Sequence, residues 1–270
     1  MPNALYPPLK PRSFGELLDA VLQIFRLSLL KCLPYATLAI IAGQLSTFYY
    51  LSRGRLPVLA SNGVADDPVG VTLYGVGTLI AVILWMALLR RQSGIAAGRP
   101  VTGSADLLDT LKRAPAIAAI ALLGGAAIAV LMLPALALAP PYRTAGMAVM
   151  LAPAIYLAIA LSLGLPALVL ARKGVLASLA YSFRLVRGNW WRVAFIYVVG
   201  IAVIWTLCLL VATIGAMALA GNGAGDTAIA RAITSAAVLA VAAIGLTFYS
   251  ALTLALFGDL EVRKMTGRSG

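Results

Sequence analysis

Apolar positions in this chain gather into six long stretches, at 32–51, 69–89, 115–139, 146–171, 193–220 and 233–257, each essentially free of charge. A membrane-spanning helix needs about 20 apolar residues, so each stretch is long enough to cross with some tilt. The pattern predicts an all-α, polytopic membrane protein with six transmembrane helices in a single domain, 1–270. Only Pro140, Pro141, Tyr142 and Arg143 separate the third stretch from the fourth, and they read as a tight hairpin turn.

The polar gaps carry a second pattern. Over 13–31, Phe14, Leu17, Leu18, Val21, Leu22, Phe25 and Leu29 follow i, i+3, i+4, i+7 spacing, while Glu16, Asp19, Gln23 and Arg26 share the other face. Ser13 and Glu16 have the spacing of a capping box. This predicts an amphipathic helix along the inner interface that turns into the membrane near Lys31 to Pro34. A shorter helix follows Ser104 as its cap, with Leu107, Leu108 and Leu111 opposite Asp106, Asp109 and Lys112. A third begins near Gly174, with an apolar stripe of Leu176, Leu179, Ala180, Phe183, Val186 and Trp190, and Gly188-Asn189 supplies a left-handed stop.

Three cytoplasmic interfacial helices, each before an odd-numbered span, predict a threefold internal repeat over 13–90, 103–172 and 174–258. Leu17-Leu18-Asp19 recurs as Leu107-Leu108-Asp109, and Phe25-Arg26-Leu27 as Phe183-Arg184-Leu185.

Charge sets the expected orientation. Lys10, Arg12, Arg26 and Lys31 precede the first span; Arg90, Arg91, Arg99, Lys112 and Arg113 fill the second gap. Arg172, Lys173, Arg184, Arg187 and Arg192 fill the fourth, and Arg263, Lys264 and Arg268 follow the sixth. The other face keeps Arg53, Arg55, Arg143 and Arg231 beside Asp66, Asp67 and Asp226. The positive-inside rule therefore places both termini in the cytoplasm. Composition agrees, since 62% hydrophobic and 11% charged residues suit lipid as the solvent. The net charge of +12 lies in membrane-proximal loops without a nucleic-acid motif, so the expected partners are anionic lipid headgroups or another membrane protein, and no nucleic acid. The Pro-rich start, Pro7 to Pro11, leads into a full-length span, which predicts that the anchor itself directs insertion rather than a cleavable signal.

Candidate chemistry is sparse. The chain has no His, which removes His-based general bases and most zinc or haem ligation. Its nine carboxylates show no obvious intramembrane pair; Asp66 and Asp67 suit a solvated turn, with a weak cation site as the alternative. Gly75 to Gly77 lies inside a span, where small residues permit close helix packing. Cys32 and Cys208 read as packing residues. These features predict a non-catalytic protein with no metal and no cofactor.

Two groups of residues remain as site candidates. Arg184, Arg187 and Arg192 with Trp190 and Trp191, joined by Arg26, form either a lipid-phosphate or partner site or a plain anchoring belt, because guanidiniums beside interfacial indoles suit both. Gln44, Pro153 and Pro166 are the cavity candidates if the protein instead transports a lipid-like or small apolar solute, since proline-broken helices free backbone carbonyls. No charge occupies the six apolar centres, which weighs against ion-coupled transport. The leading expectation is a scaffold or accessory protein of the bacterial inner membrane acting in envelope maintenance.

Two runs carry a family resemblance. Arg12-Ser-Phe-Gly-Glu-Leu-Leu-Asp19 with Phe25-Arg26, and Ser182-Phe-Arg-Leu-Val-Arg-Gly-Asn-Trp-Trp-Arg192, resemble sequence blocks of a bacterial membrane-protein group. That group includes the YciC-like proteins and the membrane domain fused to some glycerophosphodiester phosphodiesterases. The resemblance implies a six-helix inner-membrane module and no catalytic residues. The fused proteins' hydrolase activity is not carried over to this chain.

Overall fold

The computed structural model describes residues 5–54, 67–100, 102–221 and 228–267. Arg55, Asp66, Asp226 and Arg268, named above, lie outside them. The described residues form α1 (Phe14–Gly43), α2 (Leu45–Ser52), α3 (Pro68–Ala96), α4 (Gly103–Lys112), α5 (Ala114–Leu136), α6 (Pro140–Leu161), α7 (Gly164–Leu170), α8 (Val175–Val186), α9 (Trp190–Gly221) and α10 (Ala228–Met265). Six stretches among them are helical, long and apolar enough to cross a membrane: Phe14–Gly43, Pro68–Ala96, Ala114–Leu136, Pro141–Leu170, Trp190–Met217 and Ile233–Met265. The expected all-helical, six-span architecture is the one observed.

The first interfacial helix is corrected. Residues 14–43 form one helix with Pro34 inside it, so the chain does not turn near Lys31. The physical reason is a single buried stripe: Leu17, Val21, Ile24, Ser28, Cys32, Ala36 and Ala39 continue the helical spacing from the amphipathic segment through the apolar one. That stripe belongs to the helix that packs against α3 and α10. Pro34 removes the partner of the Leu30 carbonyl, and Leu30 is on the exposed face, where the loss is cheap. At about 1.5 Å per residue, 30 residues run well past a hydrocarbon core of about 30 Å, so the amphipathic part continues the span as an extension. The capping box is present: Glu16 N–H donates to Ser13 Oγ at 3.3 Å, and the Ser13 N–H donates to Glu16 Oε2 at 2.7 Å.

Other boundaries also shift. The first apolar stretch is interrupted at Gln44, after which α2 begins. Pro140 to Arg143 are the first turn of α6, because a proline at the start of a helix forfeits only an N–H that has no intrahelical partner; the connection lies at 137–139 instead. Thr102, not Ser104, precedes α4, and it makes no side-chain cap. The fourth span breaks at Ser162 and Leu163, where Pro166 cannot donate to the Ser162 carbonyl.

On α8 the expected apolar stripe is divided, with Leu179 and Val186 against the core and Leu176 and Phe183 outside it. Ser178, Ser182, Leu185 and Val186 are buried, whereas Leu176 and Phe183 are exposed. Ser182 accounts for the polar part of the buried face: its hydroxyl donates to the Ala160 carbonyl and accepts from the Leu163 N–H, supplying partners to the break. In the first of the three expected repeat units the leading helix and span are one element, while in the second and third they are separate.

Successive spans pack as neighbours, α1 with α3, α5 with α6 and α9 with α10, and α10 packs in addition on α1 and α3. Gly77 allows α3 to approach the Ala42 carbonyl of α1 so closely that a Cβ there would collide with it. Gln92 donates to Ser28 Oγ at 3.1 Å and to the Thr247 carbonyl at 3.0 Å, tying α1, α3 and α10 together inside the bundle. The densest core joins Leu17, Val21 and Ile24 to Leu89, Leu163, Leu168, Leu185, Ile196, Leu254 and Phe257. Leu122, Val130, Trp205 and Leu209 on α5 and α9 remain exposed, as lipid-facing side chains should.

Candidate functional site

The core lies toward the end of the bundle where basic residues collect, and there the chain from Leu5 to Arg12 folds back as an arm. Leu5 N–H donates to the Ala96 carbonyl at 2.9 Å, and Pro8 and Tyr6 press against Gly258. Arg12 is held by Asp259, a carboxylate with no solvent exposure. Asp259 accepts from the Arg12 N–H at 2.7 Å, from Arg192 at 3.2 Å and from Arg263 Nε at 2.9 Å. Arg192 and Arg263 also donate to the Arg12 carbonyl, at 2.9 and 2.7 Å. One buried charge thus pins the arm, the start of α9 and the end of α10.

A second ionic group lies between α3, α4 and α5. Arg90 pairs with Asp109 and, at 3.6 Å, with Asp106; Arg113 approaches Asp109 at 3.8 Å. Burial pushes the Asp106 carboxyl above the usual range, opposed by Arg90 and Arg91. α4 consequently turns its aspartates inward and leaves Leu108 and Leu111 exposed.

The residues singled out as a lipid or partner site are brought together only in part. Arg184 and Arg187 are exposed at the end of α8, and Gly188, with φ of 90°, turns the chain directly into α9. Trp190 and Trp191 meet edge to face at 4.7 Å; Trp190 stacks on Tyr156 at 5.5 Å, and Trp191 is 81% exposed. Behind this patch, Tyr181 donates to Glu261 at 2.8 Å, and Lys264 donates to the Arg184 carbonyl at 3.4 Å. α8 is therefore a platform fixed to α10. Arg192 is drawn inward to Asp259, and Arg26 is exposed on α1 beside Phe25, which packs on Phe248 of α10.

The cavity candidates do not converge. Gln44 lines an apolar cavity of 270 Å³ with Trp85 and Tyr249. Pro166 is buried in α7 and Pro153 is exposed on α6. A further apolar cavity of 270 Å³ opens on the other side of the Trp85–Tyr249 pair, lined by Ile120, Gly124 and Ser162.

Asp259 escaped the sequence reading because it sits among helical apolar residues without a nearby motif, whereas Asp106 and Asp109 were placed on the polar face of their helix but not as partners of Arg90. The Asp259 and Arg263 spacing of four residues was the available signal; the convergence of Arg12 and Arg192 was not readable from spacing.

Fold and charge distribution define a multi-pass membrane protein. Residues 139–268, which run from α6 through α10, match the family described as the membrane domain of glycerophosphoryl diester phosphodiesterase. No curated protein and no solved structure matches the chain.

Proposed function

We propose that this is a non-catalytic scaffold or accessory protein of the bacterial inner membrane, with both termini cytoplasmic, whose basic end engages anionic lipid headgroups or an acidic membrane-protein partner. The observation that carries this reading is the division of labour among the arginines. Arg90, Arg113, Arg192 and Arg263 are paired with Asp106, Asp109 and Asp259. Among the described residues, Arg184 and Arg187 have no carboxylate partner, and they stand exposed beside two indoles on a platform braced by Tyr181 and Lys264. Unpaired guanidiniums at an aromatic belt offer planar donors to phosphate oxygens, and each basic residue near an anionic surface gains about 1 kcal/mol.

Native mass spectrometry of the protein released from bilayers of phosphatidylglycerol and phosphatidylcholine tests the proposal. Phosphatidylglycerol should be enriched among retained lipids, and Arg184→Gln with Arg187→Gln should lower that enrichment; equal retention by both proteins would count against it.

A second reading, transport of a lipid-like or apolar solute, draws on the two apolar cavities flanking Trp85 and Tyr249 and on the helix breaks at Gln44 and Ser162. Movement of such a solute by protein in sealed vesicles, slowed by Trp85→Ala, would favour it.

A further inference from the structure

Away from the α8 patch, a cavity of 260 Å³ opens between the N-terminal arm, the end of α3, α4 and the end of α7. Tyr6, Arg90, Arg99, Asp106 and Arg172 supply its polar lining. Arg90 is already shared between Asp106 and Asp109. Arg99 and Arg172 have no ion pair or side-chain hydrogen bond among the described residues. Two guanidiniums that make no ion pair or hydrogen bond, Arg99 with the Asp106 carboxylate near enough to act on it, therefore line one half-open space.

The backbone is shaped for this convergence. Arg172 has φ of 52°, the left-handed region that favours glycine, directly after α7. Such a conformation at a cavity-lining arginine is of the kind that surrounding structure must hold in place. Across the cavity, Arg99 N–H bonds to the Gly94 carbonyl at 2.9 Å, closing the end of α3 and leaving Arg99 and Pro100 in the lining.

We propose that this cavity binds a phosphate oxyanion through Arg99 and Arg172, with Arg90 as a third guanidinium already shared with carboxylates. The planar donor forks of arginine match phosphate oxygens, and basic pockets between membrane helices suit phospholipid headgroups. The same chemistry accepts a free phosphate group. The site is distinct from the exposed Arg184 and Arg187 patch and stands or falls separately from the proposed function.

Two probes distinguish the sources, both with the full chain. Inorganic phosphate is added to detergent-purified protein while thermal unfolding is followed, and phosphatidylglycerol retention is measured after release from phosphatidylcholine bilayers containing it. The wild type should either gain Tm with phosphate, identifying a soluble ligand, or retain one tightly held phosphatidylglycerol, identifying a headgroup. Arg99→Gln with Arg172→Gln should weaken the positive response by roughly tenfold or more. Arg184→Gln with Arg187→Gln should leave this response intact, even where it lowers general lipid enrichment. No response of the wild type to either probe would overturn the proposal, as would a double variant of unchanged helicity that responds like the wild type. If the double variant does not fold, Arg99→Gln alone, at an exposed position between α3 and α4, carries the same expectation and the same refutation.

Discussion

The Ser182 hydroxyl donates to the Ala160 carbonyl at 2.7 Å, and it also accepts from the Leu163 N–H at 3.1 Å. An amphipathic helix thereby repairs a broken span. The broken backbone would otherwise leave polar groups unpaired among Leu163, Leu185 and Ile196, where no water offsets the loss.

Ser182→Ala should accordingly destabilise the protein by about 1–3 kcal/mol, the cost of leaving buried backbone groups without a partner. Ser178→Ala is the internal control. Ser178 is equally buried, yet its hydroxyl has no hydrogen-bond partner, so its removal should cost much less. Denaturant unfolding in detergent compares the two; equal losses would show that the repair contributes nothing.

Asp259→Ala should be more severe. It strands Arg192 and Arg263 and frees the Arg12 N–H, at a cost on the order of 3 kcal/mol, the lower end because both guanidiniums keep some solvent contact. The arm should also loosen, so limited proteolysis should cut before Ser13 faster than in the wild type. Unchanged cleavage would mean that Asp259 does not hold the arm.

Gln92→Leu should cost about 1 kcal/mol, within the modest range of interhelical hydrogen bonds inside membranes, because it removes the two bonds from α3 to Ser28 and Thr247. Thermal unfolding should show a lower Tm with the fold retained. A stabilised variant would indicate that the unpaired Gln92 Oε1 outweighs both bonds.

Acid pH should act oppositely on two aspartates. Asp67 caps α3, accepting from the N–H groups of Val69 and Gly70, and the Gly70 bond in particular holds its carboxyl below the usual range. Its contribution is present above the ordinary Asp pKa of about 3.9 and is lost as pH falls through the depressed value. Asp106 is raised by burial, so its contribution is complete below the ordinary pKa and is lost as pH rises through the elevated one. Asp106→Asn should therefore be neutral or stabilising near pH 7, while Asp67→Asn should remove part of the acid-induced loss. Tm measured against pH for both variants checks the signs.

The six spans and the basic end were legible because each depends on composition alone: length of apolar sequence for the first, position of Lys and Arg for the second. Boundaries inside the spans were less so. Lys31 to Pro34 reads as a turn by its local polarity, yet the buried stripe from Leu17 to Ala39 crosses it unbroken. On α8 the core contacts of Leu179 and Val186 were legible as part of an apolar stripe, but not those of Ser182, which is buried for the backbone groups it satisfies. For the lipid-site candidates, sequence placed Arg184, Arg187, Trp190 and Trp191 together, but Arg192 goes to Asp259, a residue 67 positions away.

The account rests most directly on preferential association of anionic lipid with the basic end. Spin-labelled phosphatidylglycerol and phosphatidylcholine, compared with the purified protein in mixed bilayers at low and high ionic strength, measure this preference. The account predicts selectivity for phosphatidylglycerol that falls as salt screens the exposed guanidiniums and is reduced by Arg184→Gln with Arg187→Gln. Equal association of the two lipids at low salt would contradict it.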